Sequence, residues 1–413
     1  MAKEVEFKVR GETYCRLCNA QLGELILGLG RQPLANALLK NKSDSKVDAW
    51  PLDFRICPNC SLGQIGEYVS PEGIFSSYTY FSSTSKSWLQ HAEKYAIYAK
   101  SMLNLNDSDL VIEIASNDGY LLKFFNEIGV RTLGIEPAEN VAKTAKAQGI
   151  ETLVEFFGEK LAKRLVSEGV IPKLVVCNNV LAHVPDIQDF LSGLAVFIEA
   201  GAVVSIEAPT MTKLLENNLF DTIYHEHFSY LSTHSMQFAA KKFEVALFRV
   251  DEIETHGGSN RYWLGASNSQ IESSVEKTSI AESKFGLLEL ENHKLFGDHS
   301  RLAIENFNSW LRNQKGSVVG FGAAAKATVI LNAVGDSTSK ICAVIDSSPE
   351  KQGLIIPGVN IPIVTLEEGI GFEPEAIVIF AWNLASEIKQ QVLAHFPLYQ
   401  GIFLIAIPEV RII

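Results

Sequence analysis

The stretch Tyr224-His225-Glu226-His227-Phe228-Ser229-Tyr230 gathers two histidines, a glutamate and two tyrosines into seven residues. Such a set suits proton transfer, since an imidazole is the commonest general base near neutral pH. If the stretch is extended, His225 and His227 share one face and Glu226 takes the other, so spacing leaves open which histidine meets a substrate. A pair of hydrogen-bonded structural histidines is the competing reading. A zinc reading is weaker, because His-x-His supplies two ligands and no third stands nearby in the sequence. A second stretch, Glu113-Ile114-Ala115-Ser116-Asn117-Asp118-Gly119-Tyr120, reads as a nucleoside-cofactor loop. Gly119 lets backbone approach a ligand closely. The loop has one glycine and an acid, Asp118, where a pyrophosphate binder would carry G-x-G-x-x-G. That composition suits a cofactor with a cationic, phosphate-free end, namely S-adenosylmethionine.

The elements that must position these residues alternate strand and helix. Leu110 to Ala115 is a short apolar run of the buried parallel-strand type. A helix from Tyr120 to Asn126 follows, then a strand from Thr132 to Glu136, with a weaker candidate from Ile150 to Val154. Glu136, followed by Pro137, ends its strand where a carboxylate accepts ribose hydroxyls; a solvated acid is the plainer alternative. Later strands run from Leu174 to Asn178 and from Ala202 to Glu207. This is a doubly wound α/β pattern, whose ligands sit at the carboxyl ends of the strands. Asn178 to Asp186 occupies such an end and carries His183, a candidate acid/base or substrate contact, or a hydrogen-bonded loop histidine. Glu207-Ala208-Pro209 occupies the next.

Cys15-Arg16-Leu17-Cys18 and Cys57-Pro58-Asn59-Cys60 are two knuckles that together supply four thiolates, the ligand set of a closed structural zinc site. Cys177 and Cys342 sit in apolar strand-like runs and read as buried and inert. Pro33-Leu34-Ala35-Asn36-Ala37 reads as a loop that either faces a ligand or forms a surface turn. Tyr78 to Ser85 reads as a lid or as a Ser-rich turn capping a helix from Ser87 to Leu103. His256-Gly257-Gly258-Ser259-Asn260-Arg261 precedes a strand, and Arg261 is a candidate clamp for phosphate or carboxylate. Residues 272–314 read as two charged helices, one with an apolar stripe of Leu287, Leu290 and Leu295. A second α/β unit then opens with Gly320-Phe321-Gly322-Ala323-Ala324-Ala325-Lys326. Its Gly-x-Gly-x-x-Ala turn offers helix N-terminal amides to a diphosphate, and Asp346 follows about twenty residues on. By that fingerprint alone, an NAD-dependent oxidoreductase is an alternative.

A chain of 413 residues suits two to three cores. A net charge of −12 argues against a general nucleic-acid binder, which needs a basic face. The first residues carry no apolar signal core and no run is long enough to span a bilayer, so the expected location is the cytoplasm, with no membrane partner.

Taken together, the cysteine knuckles, Tyr78 to Ser85, Glu113 to Tyr120, Asn178 to Asp186, Glu207-Ala208-Pro209, Tyr224 to Tyr230, His256 to Arg261 and Gly320 to Lys326 resemble one family over nearly the whole chain. It is the family of sugar C-methyltransferases acting on nucleotide-linked 4-keto deoxysugars. The resemblance implies an N-terminal zinc-binding unit over 1–70 and a class I methyltransferase unit over 71–270, with a connector at 71–105. A helical bridge over 271–314 and a Rossmann-like nucleotide-sugar unit over 315–413 complete it. It implies S-adenosylmethionine and structural zinc as cofactors, a nucleotide-linked sugar as substrate, and a monomer or small homo-oligomer. His227 then looks like the base that removes the carbon 3 proton to give an enolate. Its implied partners are Tyr78, His183, Tyr224 and Glu226, with Tyr78 or His183 stabilising the oxygen charge. Candidate cofactor contacts are Glu113, Ala115, Asn117, Asp118, Gly119, Glu136, Pro137 and Asn178. Candidate substrate contacts are Asn36, Arg261, Gly320, Gly322 and Lys326, and the metal ligands are Cys15, Cys18, Cys57 and Cys60.

Overall fold

The structure is a computed structural model describing residues 9–41, 47–70, 73–74, 81–84, 86–254 and 257–413. Tyr78 and His256 lie outside the described residues. The central sheet has seven strands in the order Val245–Ile253, Ser259–Ala266, Val203–Pro209, Leu174–Asn178, Leu110–Ile114, Arg131–Ile135 and Thr152–Leu153. The last five run parallel to one another, and Ser259–Ala266 inserts antiparallel between Val203–Pro209 and Val245–Ile253. The strand order therefore reverses between Leu110–Ile114 and Leu174–Asn178, and the crevice at that switch point is where a doubly wound sheet takes its ligand.

Alternation along each strand fills both faces. Ile112, Ile114, Val175 and Cys177 belong to one apolar cluster, while Val111, Leu174 and Val176 belong to the opposite one. The helix Lys86–Leu103 covers the second face with Ala92, Ala96 and Ala99, whose small side chains allow close approach to the sheet. The strand Val245–Ile253 has no counterpart in the sequence reading. Arg249, Asp251 and Glu252 break its apolar pattern because it lies at the sheet's edge.

The C-terminal sheet is also seven-stranded, with Val318–Phe321 flanked in parallel by Ile341–Ile345 and Ala376–Ile379. Residues 290–313 form one continuous helix. Its buried face carries Phe296, Gly297, Ser300, Ala303, Phe307 and Leu311. Leu290 and Leu295 of the expected stripe are 45% and 52% exposed, while Leu287, just before the helix, is fully buried. A single long helix turns its inward face by i, i+4, i+7 steps, and these leucines fall outside it. Cys177 is fully buried, whereas Cys342 is only half-buried. No helix among the described residues is long and apolar enough to cross a membrane.

The N-terminal sheet runs Leu27–Gln32, Trp50–Ile56, Gly63–Gln64 and Ser229–Tyr230, so its last strand comes from the histidine stretch. Gly63 pairs with Tyr230 and Gln64 with Ser229. The two knuckles fold alike. The amide of Asn19 donates to Cys15 O and that of Ser61 to Cys57 O, and both residues take left-handed backbone at φ 60° and 57°. The four sulfurs lie within 4.8 Å of one another, compatible with the roughly 3.8 Å edges of a tetrahedral zinc–thiolate site. Hydrogen bonds from Cys15 and Cys60 pull the Cys57 thiol down to about 2, and pairing with Cys57 pushes Cys15 up to about 12. Four sulfurs this close cannot all ionise without a cation among them, and a divalent metal fits that requirement.

Arg16 extends this unit toward the central sheet. Its side chain donates to Pro185 O (2.8 Å) and to Ile65 O, and its carbonyl accepts from Gln188 Nε2 (2.9 Å). Removing zinc by chelation, or replacing Cys18 with Ser, is expected to speed amide hydrogen exchange at 63–65 and 228–230. The strand Leu174–Asn178 should keep its protection. Equal exposure of both regions would show global unfolding instead.

Candidate active site

Around the switch point, backbone strain and unpaired acceptors coincide. Ala115, Asn117 and Asn179 hold positive φ of 56°, 50° and 53°, a conformation costing a non-glycine residue about 1 kcal/mol or more. Gly119 holds φ 80°, and a Cβ there would lie 2.8 Å from Ile150 Cγ1. Glu136 is buried and accepts from Asn117 N (2.9 Å) through Oε2 and from Ala138 N (2.8 Å) through Oε1. Asn117 Oδ1 and Asp118 Oδ2 accept from the amides of Ser82 and Ser83, at 2.9 and 3.2 Å, which ties the connector to the loop. Glu113 Oε2, Asp118 Oδ1 and Asn178 Oδ1 are buried without a hydrogen bond. Burial pushes the Glu113 carboxyl well above its ordinary value. A hydrogen bond from Tyr120 opposes this and the charges of Asp118 and Glu136 add to it. The cradle is thus rich in acceptors and poor in donors. It fits the ammonium and sulfonium end of S-adenosylmethionine and would repel a pyrophosphate.

The histidine stretch is a turn. His227 N donates to Tyr224 O at 2.8 Å, so the alternation expected of an extended chain does not apply. The turn stacks Tyr224 on His227 with ring centroids 3.9 Å apart and places the Tyr224 hydroxyl 2.8 Å from His227 Nε2. His227 Nδ1 lies 2.9 Å from Thr222 O. A carbonyl only accepts, so Nδ1 carries the proton and Nε2 of the neutral ring accepts from Tyr224. His225 points the other way, 2% exposed, with Nε2 on Pro51 O (3.2 Å). Of the two, His227 is the less buried ring.

His183 joins this turn from the switch-point loop. Its ring lies 4.7 Å from that of His227, and its Nδ1 donates to Glu226 O at 2.7 Å. Burial pushes its imidazole down to about 4, partly opposed by that carbonyl. With the proton on Nδ1, Nε2 is the acceptor nitrogen of the neutral ring. Glu226 faces the N-terminal unit, where Oε1 accepts from both the amide and Nδ2 of Asn36 at 3.1 Å. Its Oε2 is buried without a partner.

Two expected substrate contacts sit elsewhere. Arg261 is 6% exposed and pairs with Glu207, over the ring of Tyr95 at 4.1 Å, so its charge is spent inside the sheet. Glu207 also binds His91 Nε2 at 2.9 Å. Burial raises the Glu207 carboxyl, yet His91 and Arg261 hold it below its ordinary value. Gly320 is packing: a Cβ there would strike Phe380 at 2.6 Å. Gly322, at φ 93°, closes the turn against Ala381. Lys326 lies over the Trp382 ring at 4.1 Å and opens the helix Ala325–Val334. Asp346 folds back on the turn, accepting from Ala323 N at 2.8 Å and pairing with Lys351 at 3.4 Å. The acid expected of a dinucleotide fingerprint is thereby occupied. Sequence reading passed over His91 and Trp88, whose i, i+3 spacing on a helix was the available signal. Trp88 stacks on both His91 and Tyr120.

Comparison with known proteins bears on the same segments. A zinc binding domain model matches residues 15–75, a methyltransferase domain model 62–247 and a C-methyltransferase C-terminal domain model 254–408. C-methyltransferase NovU of Streptomyces niveus is 31% identical over 411 residues, 98% of each chain. The chain belongs to the C-methyltransferase family. Among solved structures, the magnesium protoporphyrin IX methyltransferase of Synechocystis PCC 6803 with bound S-adenosylmethionine is 12% identical at a TM-score of 0.31. That match covers 43% of this chain and 79% of the other. An S-adenosylmethionine-dependent methyltransferase of Clostridium acetobutylicum ATCC 824 is 10% identical at 0.32, covering 44% and 92%. As a C-methyltransferase, the chain is an enzyme whose cofactors are S-adenosylmethionine and zinc. These matches give the NAD-dependent oxidoreductase alternative no support.

Asp118→Asn is expected to weaken S-adenosylmethionine binding by about 10- to 100-fold in calorimetry, the range of one charge-assisted hydrogen bond. His183 gives a pH prediction with a definite sign. Its pKa is depressed on folding, so the unfolded chain binds the extra proton and stability falls as pH drops from about 6.5 toward 4. His183→Gln should lose less thermal stability than the wild type across that window, with no difference above pH 7.

Proposed function

We propose that this C-methyltransferase methylates carbon 3 of a nucleotide-linked 4-keto-deoxysugar, in deoxysugar biosynthesis, through an enolate generated at His227. The observation that carries the reading is the Thr222 O–His227–Tyr224 hydroxyl line, at 2.9 and 2.8 Å, half-buried in the turn that leads into the strand Ser229–Tyr230. The 4-keto group acidifies the proton on carbon 3. That proton passes to Nε2 of His227, with the Tyr224 hydroxyl on its path. Thr222 O holds Nδ1–H throughout and favours the imidazolium that forms. His183 braces the turn through Glu226 O, and Glu226 keeps the turn clamped to Asn36. When bound, S-adenosylmethionine supplies an electrophilic methyl group for the enolate carbon.

The acceptor-rich loop of Glu113, Ala115, Asn117, Asp118 and Gly119, with Glu136, Pro137 and Asn178, serves the cofactor. The Gly322 turn and Lys326 serve the nucleotide diphosphate, with amides and one cation beside a helix start. Holding the two ligands in register supplies much of the rate, since carbon and methyl must meet at near-attack distance.

His227→Ala is expected to abolish turnover, by a factor on the order of 10²–10⁴, while leaving S-adenosylmethionine affinity unchanged. Near-normal turnover would remove it as the base. The acceptor is tested by mass spectrometry of nucleotide 4-keto sugars incubated with the enzyme and methyl-labelled S-adenosylmethionine. A labelled methyl on a sugar carbon supports the reading. No transfer across the panel, by protein that binds the cofactor, counts against a sugar acceptor.

A further inference from the structure

Asp221 sits in the single helical turn Phe220–Thr222, directly before the carbonyl that holds His227. It is 1% exposed. Its Oδ2 accepts from Trp382 Nε1 at 2.8 Å, a contact between residues 161 apart in the chain. Its Oδ1 is buried without a hydrogen bond. Trp382 follows the C-terminal strand Ala376–Ile379 and carries Lys326 Nζ over its ring. Asp221, Trp382, Lys326 and Phe380 border one narrow crevice. Burial raises the Asp221 carboxyl, opposed by the Lys326 charge and the Trp382 hydrogen bond.

A buried carboxylate is costly unless paired. The turn Phe220–Thr222 therefore stays where Asp221 meets Trp382, and the direction of Thr222 O follows. That carbonyl accepts from His227 Nδ1 and, at 3.4 Å, from the Tyr230 hydroxyl. We infer that Asp221 is a positioning residue for His227, transmitting the placement of the C-terminal unit, through Trp382, to the ring that takes the proton. The inference rests on the reading of His227 as base. It adds that the base is set by a side chain outside the catalytic turn and by a tryptophan that follows a strand of the C-terminal sheet.

The test reads His227 directly and needs no acceptor. Protein labelled with ¹³C at histidine Cε1 is titrated by NMR, the His227 signal being assigned by its loss in His227→Gln. Among the described residues, the titratable groups around this ring include Tyr224, His183 and Tyr230, with Glu226 turned to Asn36. Trp382→Phe removes the N–H and keeps an aromatic ring. Asp221→Ala removes the carboxylate. In both, Thr222 O loses its hold and the imidazolium its acceptor, so the His227 midpoint should fall by about 0.5 pH units or more. Asp221→Asn keeps an acceptor oxygen for Trp382 and should restore most of the shift. Unchanged midpoints in folded Trp382→Phe and Asp221→Ala, judged by circular dichroism, would overturn the inference. Turnover of His227→Gln at the wild-type rate would instead overturn the base reading, leaving the midpoint result to stand by itself.

Discussion

Antiparallel pairing of Gly63–Gln64 with Ser229–Tyr230 is the interaction on which the site depends. It joins the zinc unit to the two residues that follow His227 and Phe228. A two-residue ladder is marginal by itself. It persists because the knuckles fix one side and the apolar cluster of Phe54, Ile65, Met211 and Tyr230 fills the other. Arg16 repeats the connection to the loop of His183 by donating to Pro185 O. The metal unit is therefore a wall of the active site, and its four thiolates stabilise chemistry that they do not touch.

The two histidines of the site share one electrostatic rule. Each donates Nδ1–H to a backbone carbonyl, His183 to Glu226 and His227 to Thr222. A carbonyl cannot exchange roles, so both rings hold the same tautomer and turn Nε2 outward. The cofactor cradle on the other side of the crevice follows a matching logic. Its unpaired atoms are carboxylate and amide oxygens, which favour a cation. One face accepts protons and the other attracts positive charge, which is the pairing that a proton abstraction coupled to methyl transfer calls for.

The central strands were readable because parallel strands buried on both faces are continuous apolar runs, as in Leu174–Asn178. The knuckles were readable because four cysteines at that spacing have few other uses. The edge strand Val245–Ile253 was not, since its exposed side interrupts the pattern with charge. The inward face of residues 290–313 was misplaced because leucine content was taken for burial. At the site, composition gave the right stretch but not its shape. Tyr224 to His227 forms a turn through one backbone hydrogen bond, and nothing in the residue types announces it. Arg261 illustrates the limit of charge as a signal: Glu207, 54 positions away, claims it inside the fold. Asp221 carried no signal, because its partner Trp382 lies 161 positions away in the C-terminal unit.

Under the proposed reaction, the tautomers constrain where the enolate oxygen finds a donor. Neutral His183 has none to give at Nε2, and neutral His227 has none before the proton moves. Once Nε2 of His227 is protonated, the imidazolium becomes a donor within the same turn, and the Tyr224 hydroxyl no longer donates to that ring. The proton removed from carbon then supplies the charge that steadies the carbanion's oxygen. Base and oxyanion partner are in this view two protonation states of one residue, which explains why the fold spends so many contacts on a single ring. Thr222, Tyr224, His183 and the strand Ser229–Tyr230 all converge on it, and a small error in its aim would cost both functions together.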